Sequence, residues 1–167
     1  MSAPAALPPF QRFLDAQRDV VWRYLVSMLG RADAEDCFQE TFVSALRAYP
    51  RLRPGSNERA WVLTIAHRKA LDAFRGKAKR AVPVAEPQSV GDGGGTSPSA
   101  QDEVLAADEQ LWRAVGELPA RQRSAVVLRF VADLPHRDIA AAIGCSPEAA
   151  RRSLHEGLTS LREVVVL

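Results

Sequence analysis

The chain has 167 residues, with 22 basic and 20 acidic side chains, which is enough for one domain or two small ones. Cys37 and Cys145 lie far apart without a Cys-x-x-Cys spacing, which argues against a disulfide framework or a zinc site and suits a reducing compartment. Residues 1–10 carry no basic segment and no window reaches transmembrane length, so we expect a soluble cytoplasmic protein that does not contact a membrane.

Two helices are predicted before Pro50. After Pro8 and Pro9, apolar residues recur at steps of three and four and predict one long helix that ends at Gly30. Asp33 is expected to cap a second helix that continues to Pro50. The apolar stripe of this second helix comprises Phe38, Phe42, Ala45, Leu46 and Tyr49.

A short loop and a basic third helix follow. Ser56 or Asn57 is expected to cap this helix, and Trp61 is expected in the core because it is in phase with Ile65. Residues 50–80 hold 9 basic and 2 acidic side chains, so the positive charge is concentrated in one block, as in proteins that bind nucleic-acid phosphates. A solvated helix end is the other interpretation of such a block.

The loop and the third helix together predict a surface for nucleic acid. The Pro-Gly pair and polar side chains of Arg51–Asn57 suit an unstacked base, and Arg51 and Arg53 suit its phosphates. His67, Arg68 and Asp72 recur at steps compatible with one polar face. The candidate DNA-binding residues of this first module are Arg51, Arg53, Ser56, Asn57, His67, Arg68, Asp72, Arg75, Lys77, Lys79 and Arg80.

The composition changes abruptly after the basic block. Between residues 81 and 100 proline, glycine, serine and threonine dominate and no apolar period survives, which predicts a flexible linker. Residues 81–110, which include the linker and the residues that follow it, hold 6 acidic and no basic side chains, and we expect an acidic linker. We therefore expect an all-α protein of two small, independent helical domains, with limits at 1–80, 81–101 and 102–167.

The second domain carries the pattern of a helix-turn-helix. Pro135 begins a short helix, Gly144 ends it at a position suited to positive φ, and Ser146 is expected to cap the next helix, with Pro147 in its first turn. A glycine turn between two such helices is typical of this DNA-binding motif. A helical hairpin without a DNA role is the other interpretation.

In a helix-turn-helix, the N-terminal residues of the second helix lie nearest the base edges of the major groove. Arg151 or Arg152 suits a bidentate contact with guanine, Glu148 suits a cytosine amine, and Arg129 and Arg137 suit the phosphates. The candidate DNA-binding residues of this domain are Arg129, Arg137, Ser146, Glu148, Ala149, Arg151, Arg152 and His155.

The order and spacing of these pieces resembles the extracytoplasmic-function (ECF) sigma factors, which bring bacterial RNA polymerase to promoters. The resemblance covers nearly everything outside the linker: residues 10–80 resemble the domain that binds the polymerase clamp and the −10 element, and residues 118–162 resemble the domain that reads the −35 element. It implies that the first candidate set contacts −10 DNA and the second set −35 DNA.

In that family the helix written here as AEDCFQETFVSAL packs on a clamp coiled coil. The resemblance therefore implies that this helix contacts the polymerase through Asp33, Asp36, Gln39, Glu40 and Phe42. The implied partners are core RNA polymerase, through its β and β′ subunits, and promoter DNA, while an anti-sigma factor remains open. The chain departs from the family pattern at Ser153, Glu156 and Leu158, where basic residues are common, and at His67, where asparagine is frequent.

The main alternative is a stand-alone helix-turn-helix regulator that binds duplex DNA without polymerase. The acidic second helix and the separate basic module argue against it, because a repressor needs neither. An enzyme is the third alternative. His67, His136 and His155 have no paired nucleophile or metal-ligand spacing, and the glycine run in the linker lacks the strand and lysine of a phosphate-binding loop, so we expect no catalytic residues, metal or cofactor.

Overall fold

The computed structural model describes residues 6–80 and 100–165, although not the side chains at 78, 80, 100–108 and 165. Residues 81–99 of the predicted linker lie outside the described part. The described residues form helices and no strand, so the predicted all-α class is confirmed. The helices are α1 (Phe10–Leu29), α2 (Arg31–Ala48), α3 (Glu58–Arg80), α4 (Ala100–Glu117), α5 (Ala120–Phe130), α6 (His136–Ile143) and α7 (Pro147–Val165), with a 3₁₀ turn at Tyr49–Arg51.

The first module consists of α1, α2 and α3, which pack against one another. Gly30 separates α1 from α2 with φ of 80°, a conformation that side chains with a Cβ rarely adopt, and its N–H donates to the Val26 carbonyl. The predicted end of the first helix is therefore confirmed. The capping prediction for Asp33 is wrong, because α2 begins at Arg31 and Asp33 lies inside its first turn.

Aromatic rings form the centre of the first module. The Phe13 ring centroid lies 6.5 Å from that of Phe42, 5.1 Å from that of Tyr49 and 5.6 Å from that of Trp61. Trp61 is half-buried and packs on this core, in the phase that the sequence predicts. Leu46 was expected on the apolar stripe of α2, but it is 53% exposed, since its position on the helix points away from these rings.

The second module consists of α4 to α7, and its helix-turn-helix has the predicted geometry. Gly144 ends α6 in the left-handed conformation, with φ of 77° and ψ of 43°. The Ser146 hydroxyl accepts the Ala149 N–H at 3.2 Å, and α7 begins at Pro147, so the predicted cap is confirmed. Helix α4 begins at Ala100, two residues inside the segment that the sequence assigns to the linker.

The two modules are in contact in the described structure. Helix α3 packs on α6, and α1 packs on both α4 and α5. Part of this contact is polar, since the Ser124 hydroxyl of α5 lies 3.4 Å from the His67 Nδ1 of α3, and hydrophobic periodicity does not predict such a contact.

Gly157 allows α7 to approach α5 closely. A Cβ at this position would lie 2.9 Å from the Val126 Cγ2 and 3.5 Å from the Gln122 carbonyl oxygen. Val126 is buried and β-branched, so it has few alternative rotamers with which to yield.

We expect Gly157→Ala to lower the free energy of unfolding by roughly 1–3 kcal/mol, because the new methyl group overpacks the contact between α5 and α7. Gly76→Ala is the matched control, since a Cβ there meets nothing within 4 Å in α3. The control is expected to stabilise by about 0.5–1 kcal/mol, because alanine is the better helix former. Urea unfolding measures both, and equal effects would contradict the described packing.

Candidate polymerase and promoter interfaces

One exposed face of α2 carries the predicted polymerase-binding carboxylates. Asp36, Gln39 and Glu40 are exposed, whereas Asp33 is half-buried and pairs with Lys77 of α3. Phe42, which was assigned to the same contact, is 6% exposed and packs in the aromatic core. The structure therefore does not present Phe42 to a partner.

Two apolar residues that sequence reasoning missed lie on the same face. Val43 is 47% exposed and Leu46 is 53% exposed. At 100° per residue, they flank Asp36 and Glu40 on one side of the helix. We call the surface formed by Asp36, Gln39, Glu40, Val43 and Leu46 the α2 stripe. Its exposed apolar side chains next to carboxylates are typical of a protein-binding surface, because interfaces combine an apolar centre with polar edges.

The carboxylates near the α2 stripe affect the buried thiol of Cys37. Its pKa is raised by burial and by the carboxylates of Glu40, Asp33 and Asp36, with a smaller opposing effect of Lys69. The thiol points towards the Lys69 carbonyl oxygen at 3.8 Å. Cys37 is thus a protonated core residue, and the charge around it is set by carboxylates.

The loop Arg51–Asn57 is held at both ends and exposed between them. Leu52 is buried, Gly55 has φ of 83°, and the Ser56 hydroxyl donates to the Arg53 carbonyl at 2.7 Å. Asn57 caps α3, because its Oδ1 accepts a hydrogen bond from the Ala60 N–H at 3.0 Å. Of the two residues predicted as this cap, Asn57 is therefore confirmed. These anchors fix the loop while the side chains of Arg51 and Arg53 are free to reach a nucleic acid.

Helix α3, which follows this loop in the chain, presents a mixed polar face. Arg68, Asp72, Arg75 and Lys79 are exposed, and Asp72 lies 3.6 Å from the Arg75 guanidinium. Lys77 is also exposed, but it pairs with Asp33, so its positive charge is partly neutralised within the module. The side chain of Arg80, the last residue in the predicted set, lies outside the described part.

His67 occupies a different place from the one predicted. It is 3% exposed, its Nδ1 lies 2.9 Å from the Tyr24 hydroxyl, and the Ser124 hydroxyl of α5 lies 3.4 Å from the same nitrogen. Burial, together with the charge of Arg68, lowers the pKa of His67 from 6.5 to about 4. In this conformation His67 is therefore a neutral interior residue and is not available to DNA.

Helix α7 separates into an interior face and an exposed face. Glu148, Arg151, Arg152 and His155 are exposed and fall within about 100° of one another around the helix. Ser153 is 7% exposed and Leu158 packs on the core, so these two departures from the family pattern lie on the interior face. Glu156 is exposed at the edge and accepts a hydrogen bond from Gln122.

Three other residues of this predicted set support the structure of the second module. Arg129 donates to the Leu134 carbonyl at 3.2 Å, Ser146 caps α7, and Ala149 is half-buried. Arg137 is exposed, and its Nε lies 3.6 Å from the Asp138 Oδ1. Among the residues that the structure describes, no cluster of metal-binding side chains occurs, and none of the described helices is long and apolar enough to span a membrane.

Comparison with known proteins identifies both modules. Residues 13–80 match the Sigma-70 region 2 family, and residues 108–161 match the Sigma-70 region 4 family. The chain is 34% identical over 132 residues to the RNA polymerase sigma factor CarQ of Myxococcus xanthus, covering 79% of this chain and 74% of CarQ. It is 30% identical over 137 residues to the probable RNA polymerase sigma-C factor of Mycobacterium bovis, covering 81% of this chain and 71% of that protein.

A solved structure shares the same fold. The sigma factor RpoE of Bartonella quintana, determined in complex with the anti-sigma factor NepR, superimposes with a TM-score of 0.76 at 21% identity. The match covers 95% of this chain and 97% of that chain.

The buried histidine makes stability depend on pH in a defined direction. Because the pKa of His67 is lowered by folding, the unfolded chain binds a proton first as the pH falls below 6.5. The stability is therefore complete above pH 6.5 and decreases as the pH falls towards 4. At pH 5 this single group is expected to cost about 2 kcal/mol.

We expect His67→Gln to remove this part of the pH dependence, since glutamine keeps a hydrogen-bonding group but does not titrate. Urea unfolding at pH 7.5 and pH 5 measures the difference for the wild type and the variant. His155→Gln is the control, because His155 is exposed. A loss of stability on acidification that is the same in all three proteins would contradict the buried, neutral state of His67.

Proposed function

The chain belongs to the ECF family of RNA polymerase sigma factors and is therefore a transcription initiation factor. We propose that three of its surfaces each bind a different partner. The α2 stripe binds core polymerase, the loop Arg51–Asn57 with α3 traps the opened −10 strand, and the exposed face of α7 reads the −35 element. The observation that carries this proposal is that the two family matches coincide with the two modules, and that each module presents its charged residues outward.

The α2 stripe is proposed as the polymerase anchor because of its composition. Carboxylates of Asp36 and Glu40 attract a basic partner and guide association, while Val43 and Leu46 supply apolar area that becomes buried. These exposed groups contribute little to the stability of the module itself, because exposed charges are well solvated. Their presence on one face is therefore better explained by binding than by folding.

The loop and α3 are proposed to act after the duplex opens. Arg51 and Arg53 suit the phosphates of a single strand, and the rigid turn between them suits a base that has left the stack. His67 is not included in this surface because it is buried. The proposed −10 residues are therefore the exposed members of the predicted set: Arg51, Arg53, Ser56, Asn57, Arg68, Asp72, Arg75, Lys77 and Lys79.

The exposed face of α7 is proposed to enter the major groove. Arg151 and Arg152 lie in its N-terminal half with Glu148 and His155, and Arg137 of α6 suits a flanking phosphate. Because Ser153 and Leu158 lie on the interior face, they do not weaken this surface. Glu156 at its edge repels phosphate, so we expect moderate affinity for duplex DNA outside the complete polymerase.

We assign no catalytic chemistry, cofactor or metal to the chain, and we place its action in the cytoplasm, where bacterial polymerase meets promoters. An anti-sigma factor is proposed as a further partner, because a sigma factor of the same fold was solved with one. A stand-alone regulator is not favoured, since the relatives align over about four fifths of the chain and are themselves polymerase sigma factors.

The proposal is tested by transcription in vitro. The purified chain is mixed with bacterial core polymerase and a library of promoter-sized duplexes, and the transcripts are sequenced. Specific start sites that require the chain, with shared sequences near −10 and −35, are the expected result. Transcription that does not depend on the chain would contradict the proposal.

We expect the double charge reversal Asp36→Lys and Glu40→Lys to weaken core binding by tenfold or more while the melting temperature stays nearly unchanged. The matched control is Asp15→Lys with Asp19→Lys on α1, which makes the same charge change at the same spacing on another exposed helix face. Titration of labelled protein with core polymerase measures the affinities. Equal losses for the two pairs would refute the assignment of the α2 stripe.

Arg151→Ala is expected to relax the base preference at one position of the −35 element, at a cost of roughly 1–3 kcal/mol in promoter binding. Arg162→Ala is the control, because Arg162 is an exposed arginine near the far end of the same helix. The transcript library gives the base preference of each variant. If both variants keep the base preferences of the wild type, α7 does not contact the bases as proposed.

A further inference from the structure

The side chain of Tyr49 lies at the base of the loop Arg51–Asn57. Tyr49 begins the 3₁₀ turn that leads into the loop, and its carbonyl accepts the Leu52 N–H at 3.0 Å. Its ring centroid lies 6.3 Å from that of Trp61, which lies near the start of α3, on the other side of the loop. The residues before and after the loop therefore meet through these two rings.

The segment that leads into α1 reaches the same ring. The Tyr49 hydroxyl donates to the Pro8 carbonyl oxygen at 2.6 Å, between residues 41 positions apart in the chain. The Phe10 ring meets the Tyr49 ring edge-on, with the centroids 5.3 Å apart, and Leu7 packs on the core. We call residues Leu7–Phe10 the N-terminal strap. The strap contacts the base of the loop through one hydrogen bond and one pair of rings.

The hydrogen bond from Tyr49 to Pro8 is buried and has a preset acceptor. Tyr49 is 7% exposed, and burial, together with the charge of Glu58, raises its pKa, so the hydroxyl keeps the proton that it donates. Pro9 has φ of −53°, and a residue before proline is restricted to extended conformations, which directs the Pro8 carbonyl. Two consecutive prolines also restrict the unfolded chain, so the bond forms with a smaller loss of conformational entropy than in a flexible segment.

The candidate phosphate contacts of the loop lie close to Tyr49 in the chain. Arg51 and Arg53 follow it by two and four residues, so a displacement of Tyr49 moves their backbone directly. A binding site must hold its contacts within about 0.5 Å of the productive geometry, and buried supporting residues provide this precision. Tyr49 is too deeply buried to contact a DNA strand itself, but it is placed to fix the residues that do.

We propose that the N-terminal strap holds the loop Arg51–Asn57 in the conformation that traps the opened −10 strand, and that Tyr49 is the positioning residue through which the strap acts. This inference rests on the proposed function of that loop. Loss of the Tyr49 hydroxyl leaves the aromatic core around Phe13 in place, because the ring remains. It allows the loop to adopt other conformations, and the affinity for the opened strand falls with the fraction of loops that stay in the trapping conformation.

Native-state amide hydrogen exchange, followed by NMR, tests the strap without DNA. We expect Tyr49→Phe to accelerate exchange at the Leu52 and Ser56 amides by about two- to tenfold, the equivalent of one lost hydrogen bond. Thr41→Val is the matched control, because it also removes one buried hydroxyl hydrogen bond from the first module, the bond to the Cys37 carbonyl in α2. The control is expected to leave exchange at the two loop amides unchanged. Equal exchange in Tyr49→Phe and the wild type would overturn the proposal.

Permanganate footprinting of opened −10 thymines, on a promoter selected from the transcript library and with core polymerase, tests the consequence. We expect Tyr49→Phe to lower promoter opening by about two- to tenfold. Its affinity for core polymerase is expected to stay within about twofold of the wild type, because the α2 stripe is unchanged. Thr41→Val is expected to open the promoter as the wild type does. If Tyr49→Phe lost core binding and opening to the same degree, its role would be structural and the proposal would be wrong.

The combined change of Pro8→Gly and Pro9→Gly tests whether the strap acts through Tyr49. Glycines keep the carbonyl oxygen but release its direction, so we expect a loss of opening similar to that of Tyr49→Phe. Adding Tyr49→Phe to the two glycines is expected to lower opening by less than about twofold further, since the same bond is already broken. Losses that multiply would show that the strap and Tyr49 act separately, which contradicts the proposal.

Opening by the wild type, measured in the same experiment, separates the strap from the proposed function. If the wild type opens the promoter and Tyr49→Phe opens it equally, the strap alone is rejected. If the wild type with core polymerase opens no promoter of the library, the proposed function is rejected, and the strap with it.

Discussion

The packing of α1 is the constraint on which the rest of the structure depends. This helix contacts α2 and α3 of its own module and α4 and α5 of the other. Its buried residues include Phe13 at one end, which centres the aromatic core, and Met28 at the other, which lies against Ser124. A single amphipathic helix thus packs on α2 and α3, which carry two of the proposed surfaces, and on α5, against which α7 packs.

The two ends of α1 do this in different ways. Near its start, Phe13 packs on Tyr49 and Trp61, so burial of aromatic area fixes the first module and its loop. Near its end, Tyr24 binds His67 within the first module, and the Met28 carbonyl accepts a hydrogen bond from Arg123 of the second module. Burial of apolar area holds each module together, and hydrogen bonds such as that of Arg123 to Met28 form part of the contact between the modules.

The functional surfaces are what remains exposed after this packing. On α2, Phe42 and Ala45 are buried in the core, whereas the carboxylates, Val43 and Leu46 are exposed. On α7, Ser153 and Leu161 are buried, whereas the arginines are exposed. Each surface is therefore one face of an amphipathic helix, and its orientation follows from the opposite face. A partner reads a rigid element, which limits the entropy lost on binding.

The sequence by itself determined the local elements and the family. Periodicity predicted α1 and α2, Gly144 and Ser146 predicted the turn and cap of the helix-turn-helix, and motif order predicted a sigma factor, because all of these depend on residues close in the chain. Only the tertiary structure decided that His67 is buried and that Asn57 meets Asp138. Those results depend on contacts 57 and 81 residues apart, which helical periodicity does not encode.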